Sequence, residues 1–151
     1  MKRQVFEKLG KNPAFQRVYK NGRSRANKYL VMYVKTGESG PNRYGFSVSK
    51  KVGNSVVRHH ITRLLRESVR KNDALTKEGN HIVIVARKNI KNCSYEIVDG
   101  AVIHLLKLHG LVKWCDYFEE NFIRVVTHIS KIYIANEKNT YMYLYSLLFW
   151  I

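Results

Sequence analysis

Acidic residues are scarce in the part of this chain where basic ones are dense. Through Lys91 there are 22 Lys/Arg against 5 Asp/Glu, a balance of +17, whereas residues 92–151 hold 5 against 6, or −1. The whole excess of a chain with net charge +16 and pI near 10.0 therefore belongs to its first part. That is more than solubility requires, and it makes a polyanion, nucleic acid first of all, the expected partner class. Cysteine is nearly absent: Cys93 and Cys115 lie far apart, with no CxxC spacing and no His/Cys cluster, which excludes a zinc site or disulfide framework. Two free structural thiols in a reducing compartment are expected, hence a cytoplasmic location. No apolar run is long enough to span a bilayer: YMYLYSLLFWI has eleven residues, where roughly twenty are needed. The opening MKRQVFEKLGKN lacks the apolar region of a secretory signal. A membrane-surface role would need a bulky amphipathic helix or a lipid anchor beside the basic charge. With 151 residues, 45% of them hydrophobic, one well-buried core is expected, as one domain with an appendage.

The local patterns suggest a mixture of helices and strands. Asn12-Pro13 suits a helix start and Asn21-Gly22 a helix end, placing Phe15, Val18 and Tyr19 on one face of NPAFQRVYKNG. YLVMYVKTG (29–37) and RYGFSVSKK (43–51) read as strands around the turn-like ESGPN and together predict a hairpin. HIVIVARK (81–88) is a continuous apolar run suited to a central strand, and YEIVDGAVIHLLKLHG (95–110) a helix ending at Gly110. This order predicts an α+β fold, a small two-layer sandwich with helices packed on one mixed sheet.

After Gly53-Asn54 the period becomes helical. Val57, Ile61, Leu64, Leu65 and Ser68 fall on one side, and His59, Arg63, Arg66 and Arg70 on the other. Such a helix can anchor on a sheet by its apolar side and offer phosphates a cationic row, since a guanidinium grips two phosphate oxygens and each neutralised phosphate releases counterions. The plain alternative is a solvated charged face, but Glu67 is the only acid in residues 50–70 able to form internal ion pairs. Gly53-Asn54 supplies a turn and a cap behind Lys50 and Lys51, at a helix N-terminus that favours anions.

The stretch KKVGNSVVRHHITRLLRE resembles the signature of the protein subunit of bacterial ribonuclease P, whose usual pattern is K-K-x-G-N-A-V-x-R-N-R-I-K-R-x-x-R-E. The FQRVYKNG start, GFSVSKK, IVIVARK and HLLKLHG follow in the family's order, so the resemblance covers residues 1 to about 112. It implies an α+β domain over residues 1–112 with a left-handed βαβ crossover, an exception to the usual hand. It also implies binding to a large catalytic RNA and help in recognising precursor tRNA, whose 5′ leader is removed. The family's RNA performs the cleavage with Mg2+; the protein supplies no catalytic residue and holds no cofactor or metal itself, and no obligate protein partner is expected. The RNA-facing signature maps to Lys50, Lys51, Asn54, Arg58, Arg63 and Arg66, with His59, His60 and Arg70 on the same basic segment. A cleft for the leader maps to Phe15, Tyr19, Tyr33, Ser47 and Ser49, with Arg87 and Lys88 nearby. Aromatic faces and a cationic groove suit single-stranded RNA of any sequence, although core packing would also place aromatics there.

The chain departs from the pattern at His59-His60, where the family has Asn-Arg, and at Thr62, where it has lysine. Either protonated histidine keeps a phosphate contact or one or two contacts are lost. Metal binding by His59-His60 is disfavoured, because neighbours on a helix point apart and no carboxylate or thiol stands at i±4. His104 and His109, on an otherwise apolar helix, read as packed or partly exposed side chains. Residues 113–151 form an atypical, aromatic-rich, nearly neutral extension for which the family pattern offers no account. Two rival functions are a ribosome-associated RNA-binding protein without a nuclease partner and a metal-dependent nuclease. The second needs clustered acids, and those of the basic part are scattered at 7, 38, 67, 73 and 78.

Overall fold

The apolar run at 81–86 lies at the centre of a five-stranded sheet. A computed structural model describes residues 7–10 and 12–113. Within them the order is β1 (Glu7–Lys8), α1 (Asn12–Asn21), β2 (Arg23–Ala26), β3 (Leu30–Thr36), β4 (Arg43–Ser47), α2 (Ser55–Asn72), β5 (Asn80–Ala86) and α3 (Tyr95–Leu108). Short 3-10 turns at Asp73–Leu75 and Lys88–Ile90 flank β5. The sheet runs β1-β4-β5-β3-β2, with β5 parallel to β4 and antiparallel to β3. The described residues belong to one compact unit. Cys115 and the extension from 114 onward lie outside the described residues.

The hairpin expected between 29–37 and 43–51 does not form. A strand as apolar as NHIVIVA is stable only when covered on both faces and paired on both edges, and β5 takes the facing edges of β3 and β4 for itself. The ESGPN turn bridges the gap instead: Glu38 N donates to Gly79 O at 3.2 Å and Gly79 N to Gly40 O at 3.1 Å. Gly37, Gly40 and Gly79 all adopt positive φ there, a conformation costly for other residues. β4 stops at Ser47, so the expected strand is shorter than 43–51. The hairpin that does form joins β2 to β3, and Asn27 closes it: its backbone N donates to Leu30 O at 2.9 Å and its Oδ1 accepts Leu30 N at 2.8 Å.

Strand alternation divides the core. Tyr33, Val83 and Val85 meet Ala14, Phe15, Val18 and Tyr19 of α1 on one face. Leu30, Met32, Val34, Ile82, Ile84 and Ala86, all buried, point to the other, where α2 and α3 pack side by side. The α+β class and the packing of helices on one mixed sheet are as expected. The layer of α2 and α3 makes the sandwich, and α1 crosses the opposite face. The β4–α2–β5 segment connects neighbouring parallel strands through a helix, forming a βαβ unit.

Candidate nucleic-acid interface

α2 begins as the sequence indicates. Asn54 is its N-cap, with Oδ1 accepting Val57 N at 3.0 Å, and 18 residues free of Gly and Pro follow. Ile61, Leu65, Ser68, Val69 and Asn72 are its buried side. Two of these are polar and answer a carboxylate on α3: Ser68 Oγ and Asn72 Nδ2 each donate to Asp99 Oδ1 at 2.7 Å, and Lys71 Nζ to Oδ2 at 3.3 Å. This network holds the helix against rotation, so the opposite side stays turned to solvent.

That side carries His59, Arg63, Arg66 and Arg70, all exposed. Among the described residues no acid pairs with Arg63 or Arg66. Arg70 differs: its guanidinium forks onto Glu67, with Nε 3.1 Å from Oε2, so one member of the proposed row is internally neutralised. The bond from Arg70 holds the Glu67 carboxyl below its ordinary pKa. Arg58 is only half exposed, and its Nε is buried without a hydrogen-bond partner among the described residues. Lys50, Lys51 and His60 are exposed. Thr62 turns its hydroxyl onto the carbonyl of Arg58 at 2.8 Å, so the residue standing in the family's lysine position offers its proton to its own helix.

On the α1 face, Phe15, Tyr19 and Tyr33 come together. The Tyr19 and Tyr33 rings meet edge to face at 4.9 Å, and Phe15 lies 6.4 Å from Tyr19 with a 49° tilt. All three remain partly exposed. Gly45 of β4 admits the Phe15 ring, since a Cβ there would stand 2.5 Å from Phe15 Cζ. Ser47 pairs in register with Val85 on the same face, and Ser49 lies exposed beyond the strand end. Arg87 and Lys88 follow β5 directly.

The topology gathers these cations. β4 and β5 run parallel, so Lys50 and Lys51 after β4 and Arg87 and Lys88 after β5 emerge at one end of the sheet. The β2–β3 turn reaches the same end, because Leu30 pairs with Ala86, and it adds Lys28, which sequence reasoning missed. The signal for Lys28 lay only in long-range register. The other end is mixed. Lys35 pairs with Glu38, Arg43 Nε lies 2.8 Å from Glu7 Oε2, and burial with the nearby cations lowers the His81 pKa although Glu38 opposes them. His104 is exposed, and the half-buried His109 sets Nε2 3.2 Å from Met32 O. Among the described residues no group of three or more His, Cys, Asp and Glu could hold a metal ion, and no helix is long and apolar enough to cross a membrane.

Residues 2–109 match the family model described as Ribonuclease P. The chain is 56% identical over 108 residues to the ribonuclease P protein component of Lachnoclostridium phytofermentans, covering 72% of this chain and 93% of that relative. The corresponding protein of Alkaliphilus metalliredigens is 46% identical over 109 residues, covering 72% and 98%. The solved structure of the Staphylococcus aureus RNase P protein is similar with a TM-score of 0.66 at 33% identity, covering 72% of this chain and all of that one. That of the Thermotoga maritima protein has a TM-score of 0.58 at 28% identity, covering 62% and 88%.

Proposed function

The chain belongs to the ribonuclease P protein family, and from that premise we propose that it is the protein subunit of a ribonuclease P holoenzyme. In this reading it binds the catalytic RNA through α2 and the precursor tRNA leader through the α1 cleft, and so assists endonucleolytic removal of the leader. The observation that carries the reading is the pair Arg63 and Arg66, turned outward without an acidic partner among the described residues, on a helix whose reverse side is locked to α3. Lys50 and Lys51 extend this surface, and Asn54 serves it by capping the helix. Phe15, Tyr19 and Tyr33 offer rings on which successive bases of a single strand stack regardless of sequence.

In this reading Mg2+ belongs with the RNA, which carries the cleavage, and no step of it is assigned to this chain. The protein's part in this reading is to bind and orient, and a cytoplasmic location goes with it. The test is reconstitution of the full chain with a bacterial ribonuclease P RNA at low magnesium, with leader removal as readout. Strong stimulation over RNA alone is expected. No stimulation, with binding to ribosomal RNA intact, overturns the reading in favour of a ribosomal role.

A further inference from the structure

A pocket of about 300 Å3 lies between the β2–β3 turn and the middle of α3, apart from both the α2 row and the aromatic cleft. Its wall includes Asn27, Lys28, Tyr29, Ile97, Gly100 and His104. The volume is at the lower end of small-molecule sites. Ile97 is a large apolar side chain left 43% exposed at its edge.

Gly100 is the informative residue. Glycine weakens a helix interior, so it is kept where a Cβ would collide or where φ is positive. Gly22 is such a case, since a Cβ there would strike the Val18 carbonyl. Neither reason applies at Gly100: its φ is not in the left-handed region, and an added Cβ would meet nothing within 4 Å. Gly100 lines the pocket, so the space beside it is free for a ligand.

Lys28 is the one lysine or arginine on its wall. Lys28 has no acidic partner among the described residues, and its Nζ lies 5.6 Å from the Tyr29 ring centroid. Arg87 ties this turn to the end of β5, its backbone N donating to Tyr29 O at 2.9 Å and its guanidinium to Asn27 O at 2.7 Å. The polar groups of Asn27 are already occupied: Nδ2 donates to Ala101 O at 2.9 Å, and Oδ1 accepts Tyr29 N at 3.0 Å and Leu30 N at 2.8 Å. The interior therefore offers surface for a flat ring and little to read its edge.

We propose that this pocket receives one unstacked nucleobase of a single-stranded RNA segment, packed against Tyr29 and Ile97 over Gly100, with its phosphate on Lys28. The inference rests on the RNA-partner reading above. Charge decides the occupant, because an apolar protein side chain would leave Lys28 without a counter-charge, whereas a nucleotide brings its own anion. Recognition is expected to tolerate any base.

The experiment titrates AMP and UMP into the 15N-labelled full chain, with ribose 5-phosphate as control. Both nucleotides should move the Gly100 amide signal, and the sugar phosphate, which can reach only the Lys28 end, should not. Gly100→Phe starts from a Cβ position that meets nothing within 4 Å and places a ring in the pocket, so it should lose these shifts and bind ribonuclease P RNA about tenfold more weakly. Tyr29→Leu, which keeps the wall apolar, should weaken RNA binding similarly and covers the case of a misfolded Phe variant. Shifts no larger than those from ribose 5-phosphate, or parental RNA affinity in both variants, would refute the pocket, while stimulation of leader removal by the parent chain would still uphold the holoenzyme reading. Nucleotide shifts at Gly100 without that stimulation would reject the holoenzyme reading alone.

Discussion

Gly45 leaves room for the Phe15 ring and little more. Because the obstructing atom is the far end of a side chain, Gly45→Ala should swing Phe15 out of the cleft rather than unfold the chain, at about 1 kcal/mol of stability. Leader affinity should fall while affinity for the RNA subunit alone stays at the parental value, and equal loss in both would remove the cleft from the leader's path. Asp99 is a different kind of residue, since it is buried and accepts from Ser68, Asn72 and Lys71 at once. Asp99→Ala strands the buried Ser68 hydroxyl and takes one of two acceptors from the buried Asn72 amide, so urea unfolding should report a loss of about 2–3 kcal/mol. A loss under about 0.5 kcal/mol would mean that packing alone holds α2 to α3. His81 and His109 set the pH response. Burial is the leading cause of a lowered pKa in both, opposed by Glu38 at His81 and by the Met32 carbonyl at His109. As pH falls through about 6.5 the unfolded chain takes up these two protons before the folded one, so stability is flat above that pH and declines below it. Replacing both by Gln should flatten the decline in urea midpoint between pH 7 and 5.5, and an unchanged slope would show that other groups cause it. These contacts are invisible in the chain order: Glu67 could be seen as the only acid near the row, but that it neutralises Arg70 rather than another arginine depends on rotamers.

Among the elements, those with a strong period were legible. The cap-to-glycine boundaries of α1, the 3.6 repeat of α2, the apolar run of β5 and the end of α3 near Gly110 stand in the structure within a few residues of their expected places. β1 and β2 were missed for a physical reason: Glu7–Lys8 is two residues long, and Arg23–Ala26 is exposed throughout, so neither displays an apolar alternation. The hairpin misreading has the same root, because period reveals an element's type and face but not its partner along the hydrogen-bonding edge. For α2 the consequence is direct. Its cationic row can be altered without touching the buried side, so Arg63→Ala with Arg66→Ala should keep the thermal midpoint within about 2 °C. The same variant should weaken binding to ribonuclease P RNA and lower the slope of log K against log salt by about 1.5 to 2. Unfolding with unchanged RNA affinity would mean that the wrong face had been assigned to the RNA.

At the scale of the whole described unit, charge is arranged along the strands as well as around α2. Lys28, Lys50, Lys51, Arg87 and Lys88 emerge at the end where β4 and β5 finish, without an acidic partner among the described residues. At the opposite end Lys35 and Arg43 are matched by Glu38 and Glu7. Net charge alone could not reveal this polarity, which follows from the parallel β4–β5 pair that the hairpin expectation excluded. It separates two accounts of how a +16 chain binds RNA. A diffuse positive field would make every cation count alike, whereas a surface shaped by topology makes only one end count. If Lys28, Lys50, Lys51, Arg63, Arg66 and Lys88 each neutralise a phosphate, affinity should fall by about three orders of magnitude between 50 and 200 mM salt. Lys28→Ala with Lys88→Ala should reduce that salt slope by about 1 to 2, and Lys35→Ala with Arg43→Ala should leave it unchanged. Equal reductions from the two pairs would establish the diffuse field and remove the end of the sheet from the interface, because an ion pair already closed within the protein releases no counterion when RNA arrives.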